Sequence, residues 1–159
     1  MALSHDLLRL KLAESLSAPL PELTRRDVHL PGIRGKAFAV IGVRRGGKTS
    51  FLRQCMIDRM ASGRPREAQL LLSLEDERLV GMSVADLDWM LDEHARQFPA
   101  LREAGGMTVY LDEVHTVPGW EGLVRRLVDV DMLTQAAELL GMSFRSFRYY
   151  AKKAGLKGE

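Results

Sequence analysis

The sequence predicts an α/β fold in three layers, with a parallel sheet between helices, followed by a small all-α module. Short apolar runs alternate with stretches whose apolar residues recur at helical spacing, which indicates strands and helices in turn. A glycine-rich loop joins the first apolar run to the next helix, and the alternation stops near residue 130. The length of 159 residues allows one ordinary domain, or a small domain with an added module.

The chain begins with a predicted amphipathic helix, marked by Leu3, Leu7, Leu8, Leu12 and Leu16 at helical spacing. Three prolines between residues 19 and 31 then indicate an extended linker. Ala37–Ile41 and Gln69–Ser73 are typical of buried strands, and Met107–Leu111 predicts a third strand. Helices are predicted between them over residues 49–61 and 84–97, so the order of elements favours parallel pairing in one sheet.

Composition excludes several classes of protein. Hydrophobic residues make up 46% of the chain, which excludes a disordered or fibrous protein. Cys55 is the single cysteine, so a disulfide framework and a cysteine metal cluster are excluded. Charged residues interrupt the apolar N-terminus, and no apolar run approaches the roughly 20 residues that span a bilayer. We therefore expect a cytoplasmic protein without a membrane partner.

The segment 42–49 fits the pattern G-x-x-x-x-G-K-[ST] in full. Glycines let the backbone fold tightly around an anion with its N–H groups pointing inward, and the positive end of the following helix favours the same charge. In this pattern Lys48 reaches the outer phosphates of a nucleotide, and the Thr49 hydroxyl holds Mg²⁺. The residues predicted to bind the nucleotide are Gly42, Arg44, Arg45, Gly46, Gly47, Lys48, Thr49 and Ser50.

Two acidic residues, Asp112 and Glu113, follow the third predicted strand. Alone, such a pair is more often a solvated turn, but together with the glycine loop it predicts Mg²⁺-nucleotide binding. Asp112 is predicted to hold the Mg²⁺ together with Thr49, and to do so through the water shell of the ion. Glu113 is predicted to polarise an attacking water, with Lys48 as the second catalytic residue.

Three stretches carry a family resemblance, namely GVRRGGKTSFLRQ, LLLSLEDERL and VYLDEVHTVPGWEGLVRRL. Residues from about 27 to 130 resemble the front part of a predicted AAA-type ATPase family of bacteria and archaea. The resemblance implies a P-loop NTPase-like sheet and ATP rather than GTP. It also implies that Gly42, Gly47, Lys48 and Thr49 serve phosphate and Mg²⁺, and that Asp112 and Glu113 serve hydrolysis.

The resemblance ends near Val130, whereas the family continues with a strand bearing a polar sensor residue, a further strand and a helical lid. We therefore expect residues 1–130 to form a truncated ATP-binding domain without those later strands. Ala37–Ile41 would then be an edge strand, unpaired on one side. Nucleotide binding is expected to survive this truncation better than turnover does.

A second pattern follows at residues 133–152 and is typical of a helix-turn-helix. Ala137 lies four residues before Gly141, which allows the close approach of two helices and the turn between them. The second helix is predicted to lie in the major groove of double-stranded DNA. The residues predicted to contact DNA are Ser143, Arg145, Ser146, Arg148, Tyr149, Lys152 and Lys153.

Residues 131–157 resemble the Fis-type DNA-binding tail of NtrC-type transcriptional activators, through the stretch TQAAELLGMSFRSFRYYAKKAGLK. The resemblance makes residues 131–159 a separate DNA-binding domain. The chain as a whole has a net charge of only +2, but residues 143–158 hold five bases and no acids. That local excess of positive charge favours a DNA contact.

Three functions fit these patterns. The first is an Mg²⁺-ATP-binding AAA-type protein, with at most weak ATPase activity and a sequence-specific DNA-binding tail. The second is a non-enzymatic DNA-binding regulator fragment with a vestigial ATPase core. The third is an ATPase completed by a partner chain. Helix-turn-helix proteins commonly bind DNA as dimers, so a homodimer is also expected.

Overall fold

A computed structural model describes residues 3–30, 37–101 and 106–129, together with the backbone of a strand at 135–139. The helices are α1 (His5–Ser17), α2 (Lys48–Ala61), α3 (Val84–Gln97) and α4 (Trp120–Asp129). The strands are β1 (Gln69–Ser73), β2 (Thr108–Asp112) and β3 (Gln135–Leu139). The helices predicted over residues 49–61 and 84–97 and the strands predicted at Gln69–Ser73 and Met107–Leu111 are confirmed, with differences of at most one residue at their ends.

The three strands form one parallel sheet in the order β1-β2-β3. Residue pairing places Ser73 beside Asp112, and Asp112 beside Leu139, at the shared carboxyl edge of the sheet. All five residues of β2 are buried, as expected for the central strand of a sheet covered on both faces. In parallel α/β sheets, ligands bind at this carboxyl edge.

Two apolar clusters cover the two faces of the sheet. Side chains alternate along each strand, so Leu70 and Val109 face one cluster whereas Leu71 and Tyr110 face the other. The first cluster includes buried residues of α1, α3 and α4. The second contains Phe51, Leu52, Cys55 and Met56 of α2. The sheet therefore lies between α2 and the other helices, in the three layers predicted for an α/β fold.

Local signals explain why α3 has the predicted bounds. Ser83 caps its N-terminus by accepting a hydrogen bond from the Asp86 N–H, and Asp86 accepts one from the Ser83 N–H. This reciprocal capping box satisfies two backbone donors at a helix start. Residues with apolar side chains then recur on the face that packs into the core.

Within the described residues, no helix is long and apolar enough to cross a bilayer.

The strand predicted at Ala37–Ile41 is not observed. Residues 37–41 lack regular secondary structure and are exposed or half-buried, with Val40 packed against the α2 cluster. A strand forms only where a neighbour pairs with it, and β2 already pairs with β1 on one side and with β3 on the other. Ala37–Ile41 is therefore not the edge strand that the sequence predicts.

Strand β3 corrects two further predictions. Residues 135–139 were predicted to lie in the first helix of a helix-turn-helix, and no sheet strand was expected after residue 130, yet these residues pair in parallel with β2. A short apolar run cannot be assigned to helix or strand by periodicity alone. Here α4 provides the crossover that returns the chain for parallel pairing. The division of the chain at residue 130 stays a prediction, although β3 lies beyond it and pairs with the sheet.

Candidate nucleotide-binding site

The glycine-rich loop forms a tight turn directly before α2. The Gly46 N–H donates to the Val43 carbonyl over 3.0 Å, and the Phe51 N–H donates to the Gly47 carbonyl over 3.0 Å. Arg45 and Gly47 have φ angles of +58° and +77°, in the left-handed region. Left-handed residues in a tight loop turn successive N–H groups toward one side, which is the geometry that binds anions.

Close approach of other atoms requires the glycines at positions 46 and 47. A Cβ on Gly46 would lie 2.9 Å from the Val43 carbonyl oxygen, which is backbone and cannot swing away. A Cβ on Gly47 would lie 2.6 Å from Nη2 of Arg26, and the positive φ would strain any L side chain there. A side chain is therefore disfavoured at position 46 by the Val43 carbonyl and at position 47 by the left-handed backbone.

Lys48 closes the mouth of the loop. Its Nζ donates to the Val43 carbonyl over 2.9 Å and to the Gly42 carbonyl over 3.3 Å. The ammonium group thus lies at the loop where it is predicted to bind a phosphate. Arg44, Arg45 and Ser50 are exposed, so among the predicted nucleotide ligands these three face solvent.

The structure brings the two predicted metal residues together. The Thr49 hydroxyl donates to Oδ2 of Asp112 over 2.7 Å, although the two residues lie far apart in the sequence. Asp112 is only 5% exposed, at the carboxyl end of β2. A hydroxyl and a carboxylate are hard oxygen ligands, and Mg²⁺ typically takes one or two such groups and completes its shell with water and phosphate. The donor set therefore fits Mg²⁺ bound to a nucleotide.

Glu113 has an unusual backbone. Its φ of +56° lies in the left-handed region, which is uncommon for a residue other than glycine and clusters at functional sites. Its Oε2 lies 3.3 Å from Nδ1 of His115, and a quarter of its side chain is exposed. The carboxylate is thus accessible to water beside Asp112 and has a partner of its own. The left-handed backbone and the His115 contact carry no signal in the sequence.

Arg26 touches the loop, although the sequence pattern places it in a linker. Its guanidinium donates to the Gly46 carbonyl. The sequence offered no motif for this contact because it joins two segments through tertiary packing.

The seven residues predicted to contact DNA, from Ser143 to Lys153, lie outside the described residues.

A family model described as "AAA domain" matches residues 34–146, which is more than two thirds of the chain. The chain belongs to this family. The match supports the AAA-type ATPase part of the predicted resemblance, and AAA domains generally bind nucleotides. It runs through β3 into the segment assigned to the helix-turn-helix, and the comparisons do not support the Fis-type resemblance.

One curated relative of this AAA domain is an uncharacterized protein of Methanocaldococcus jannaschii. The two sequences are 31% identical over 108 residues, which cover 68% of this chain and 22% of the relative. The chain therefore spans about a fifth of the relative's length.

Proposed function

We propose that this AAA domain binds Mg²⁺-ATP at the glycine-rich loop and hydrolyses it slowly. The Thr49–Asp112 hydrogen bond is the observation that carries the proposal. It joins the first helical turn after the loop to the acidic end of the central strand, where a nucleotide-bound Mg²⁺ needs its protein oxygens. The family membership supports the AAA-type ATPase part of this proposal.

Each residue of the site has a distinct role in this proposal. Loop N–H groups bind the phosphate oxygens, and Lys48 exchanges the Gly42 and Val43 carbonyls for the outer phosphates. Thr49 and Asp112, which share a hydrogen bond, would hold Mg²⁺ through their side-chain oxygens. Bound Mg²⁺ neutralises charge on the phosphates. Glu113 accepts the proton of the water that attacks the terminal phosphorus, while the bond to the ADP oxygen breaks.

Calorimetric titration with ATP and Mg²⁺ tests the proposal. Lys48→Ala is expected to weaken binding about tenfold or more, because it removes a charge-assisted contact to phosphate. Arg126→Ala is the matched control, since Arg126 lies on α4 and pairs with Asp88, away from the loop. Equal affinities of Lys48→Ala and wild type would show that the loop is not a phosphate site.

Turnover is tested separately with Glu113→Gln, which keeps the shape of the side chain and removes its basicity. We expect phosphate release to stop while ATP affinity is retained. If wild type releases no phosphate either, the hydrolysis part of the proposal is wrong, and the non-enzymatic alternative with a vestigial ATPase core is favoured. DNA binding by residues 143–153, a homodimer and a completing partner chain stay predictions. Strand β3 lies where the first helix of the predicted helix-turn-helix was expected.

A further inference from the structure

We propose that Arg26 is a positioning residue for the phosphate loop. Its guanidinium holds the Gly46 carbonyl on the outer side of the loop and thereby aims the Gly47 N–H at the phosphates. The inference rests on the proposed nucleotide site and identifies a residue outside the glycine-rich motif that prepares that site for its ligand.

The backbone of Arg26 is clamped to α2 by a buried amide. Gln54 is 2% exposed, and its Oε1 accepts a hydrogen bond from the Arg26 N–H over 2.8 Å. Its Nε2 donates to the Arg26 carbonyl, also over 2.8 Å. The Gln54 amide thus pairs with both the backbone N–H and the backbone C=O of Arg26. Losing these bonds would leave a buried amide without partners, so the pairing fixes the position of the Arg26 backbone. Arg26 is thus tied to the helix that begins at Lys48.

The guanidinium lies against the peptide unit that joins Gly46 and Gly47. Nη2 donates to the Gly46 carbonyl oxygen, and the same nitrogen would lie 2.6 Å from a Cβ built on Gly47. Both residues of the unit are therefore in contact with, or directly beside, one cationic group. Glycine at position 47 is what leaves room for it.

The geometry of a trans peptide links this contact to anion binding. The C=O and N–H groups of one planar trans unit point in opposite directions. Holding the Gly46 carbonyl against Arg26 therefore turns the Gly47 N–H away from Arg26, to the side where the phosphates are proposed to bind. Glycine residues otherwise sample many conformations, so a fixed peptide plane reduces the entropy lost when a phosphate binds.

Arg25 provides a matched control. It is the neighbouring residue, carries the same charge and pairs with Asp58 on the same helix. Asp58 lies ten residues after Lys48, which is roughly 15 Å along a helix axis. Removing Arg25 therefore takes away an arginine that anchors the same segment to α2 without touching the loop.

The test measures binding of Mg²⁺-ADP and of inorganic pyrophosphate to the full chain, as wild type, Arg26→Ala, Arg26→Lys and Arg25→Ala. Arg26→Ala is expected to weaken both ligands by the same factor, about tenfold, because the loop serves only the phosphates. Arg26→Lys keeps a cation and its donors and is expected to recover most of the loss. Arg25→Ala is expected to stay within about twofold of wild type.

Two results would overturn the inference while the nucleotide site stands. One is an Arg26→Ala affinity equal to that of Arg25→Ala, and the other is a loss for ADP without a loss for pyrophosphate, which would place Arg26 on the nucleoside. Wild-type protein that binds neither ligand would instead refute the proposed function, and the inference with it. If Arg26→Ala does not fold, Arg26→Gln replaces it, since its shorter neutral amide is also expected to weaken both ligands equally.

Discussion

At the residue scale, the site depends on one contact between distant parts of the chain. Thr49 and Asp112 were both predicted from sequence, because the loop motif and the end of a buried strand identify them separately. Their 2.7 Å hydrogen bond shows that the fold brings the two side chains together, as the proposed Mg²⁺ site requires. Arg26 and the His115 partner of Glu113 could not be predicted, because each has its role only through a neighbour that tertiary structure supplies.

Asp112→Asn is expected to separate Mg²⁺ binding from nucleotide binding. Asparagine still accepts the Thr49 hydrogen bond, so the domain should fold, but it offers the ion no charge. We expect the Mg²⁺ concentration needed for half-maximal ADP binding to rise about tenfold or more, with little change when Mg²⁺ is absent. Titration of Mg²⁺ at fixed ADP measures this. Asp88→Asn on α3 is the control, and a shift of the same size in that variant would contradict the assignment.

The reactivity of the single cysteine tests whether the buried face of α2 stays covered. Cys55 lies on the buried face of α2 and is 8% exposed, and burial raises the pKa of its thiol to about 11. The thiolate is the reactive form, so at pH 8 the folded protein should react slowly with a disulfide reagent and the unfolded protein quickly. Mg²⁺-ATP should slow the reaction further, because a ligand of the folded state suppresses opening. Rapid reaction of native protein would contradict the buried position.

At the element scale, helices were predicted better than strands. The residues of α2 and α3 repeat their apolar side chains at helical spacing, and Ser83 caps α3, so local signals suffice. Strand formation depends on partners that local sequence does not contain. Ala37–Ile41 has the apolar run of a strand but no pairing, whereas Gln135–Leu139 has the spacing of a helix but pairs with β2. In both segments the outcome depends on whether a neighbouring strand pairs with the segment, which the local sequence does not show.

An ion-pair cluster joins α1 to the turn after β1 and predicts a pH dependence of stability. Arg78 and Lys11 each contact both Glu14 and Asp76. Hydrogen bonds from Arg78, and then from Lys11, lower the pKa of Glu14 to about 2 and also lower that of Asp76. Because the folded-state pKa values lie below the unfolded ones, this stabilisation is complete above about pH 4.5 and is lost as the pH falls toward 2.

Thermal unfolding between pH 6 and pH 2.5 checks this dependence. The midpoint of wild type should fall steadily below about pH 4.5, and Glu14→Gln should start lower and fall less steeply, because one titrating partner is gone. Added salt should reduce the difference between the two proteins, since the Arg78–Glu14 pair of the cluster is exposed to solvent. Parallel curves for the two proteins would show that Glu14 does not contribute to the dependence.

At the scale of the whole molecule, the pairing of β3 with β2 predicts that the sheet needs residues beyond 130. The central strand β2 is buried along its whole length and pairs with β3 through backbone hydrogen bonds. Cutting the chain after residue 130 would remove those partners, and each buried backbone group left unpaired costs about 1–3 kcal/mol. A chain of residues 1–130 should therefore unfold at a much lower temperature than the full chain, or aggregate through the exposed edge of β2.

A chain of residues 1–146, which ends where the family match ends, is the matched comparison and keeps β3. We expect it to unfold cooperatively and to bind Mg²⁺-ADP with the affinity of the full chain, measured by thermal unfolding and calorimetric titration. Equal stability and equal binding of residues 1–130 would show that the sheet needs only β1 and β2. That result would support the predicted division at residue 130, because the segment after it would then be free to serve another function.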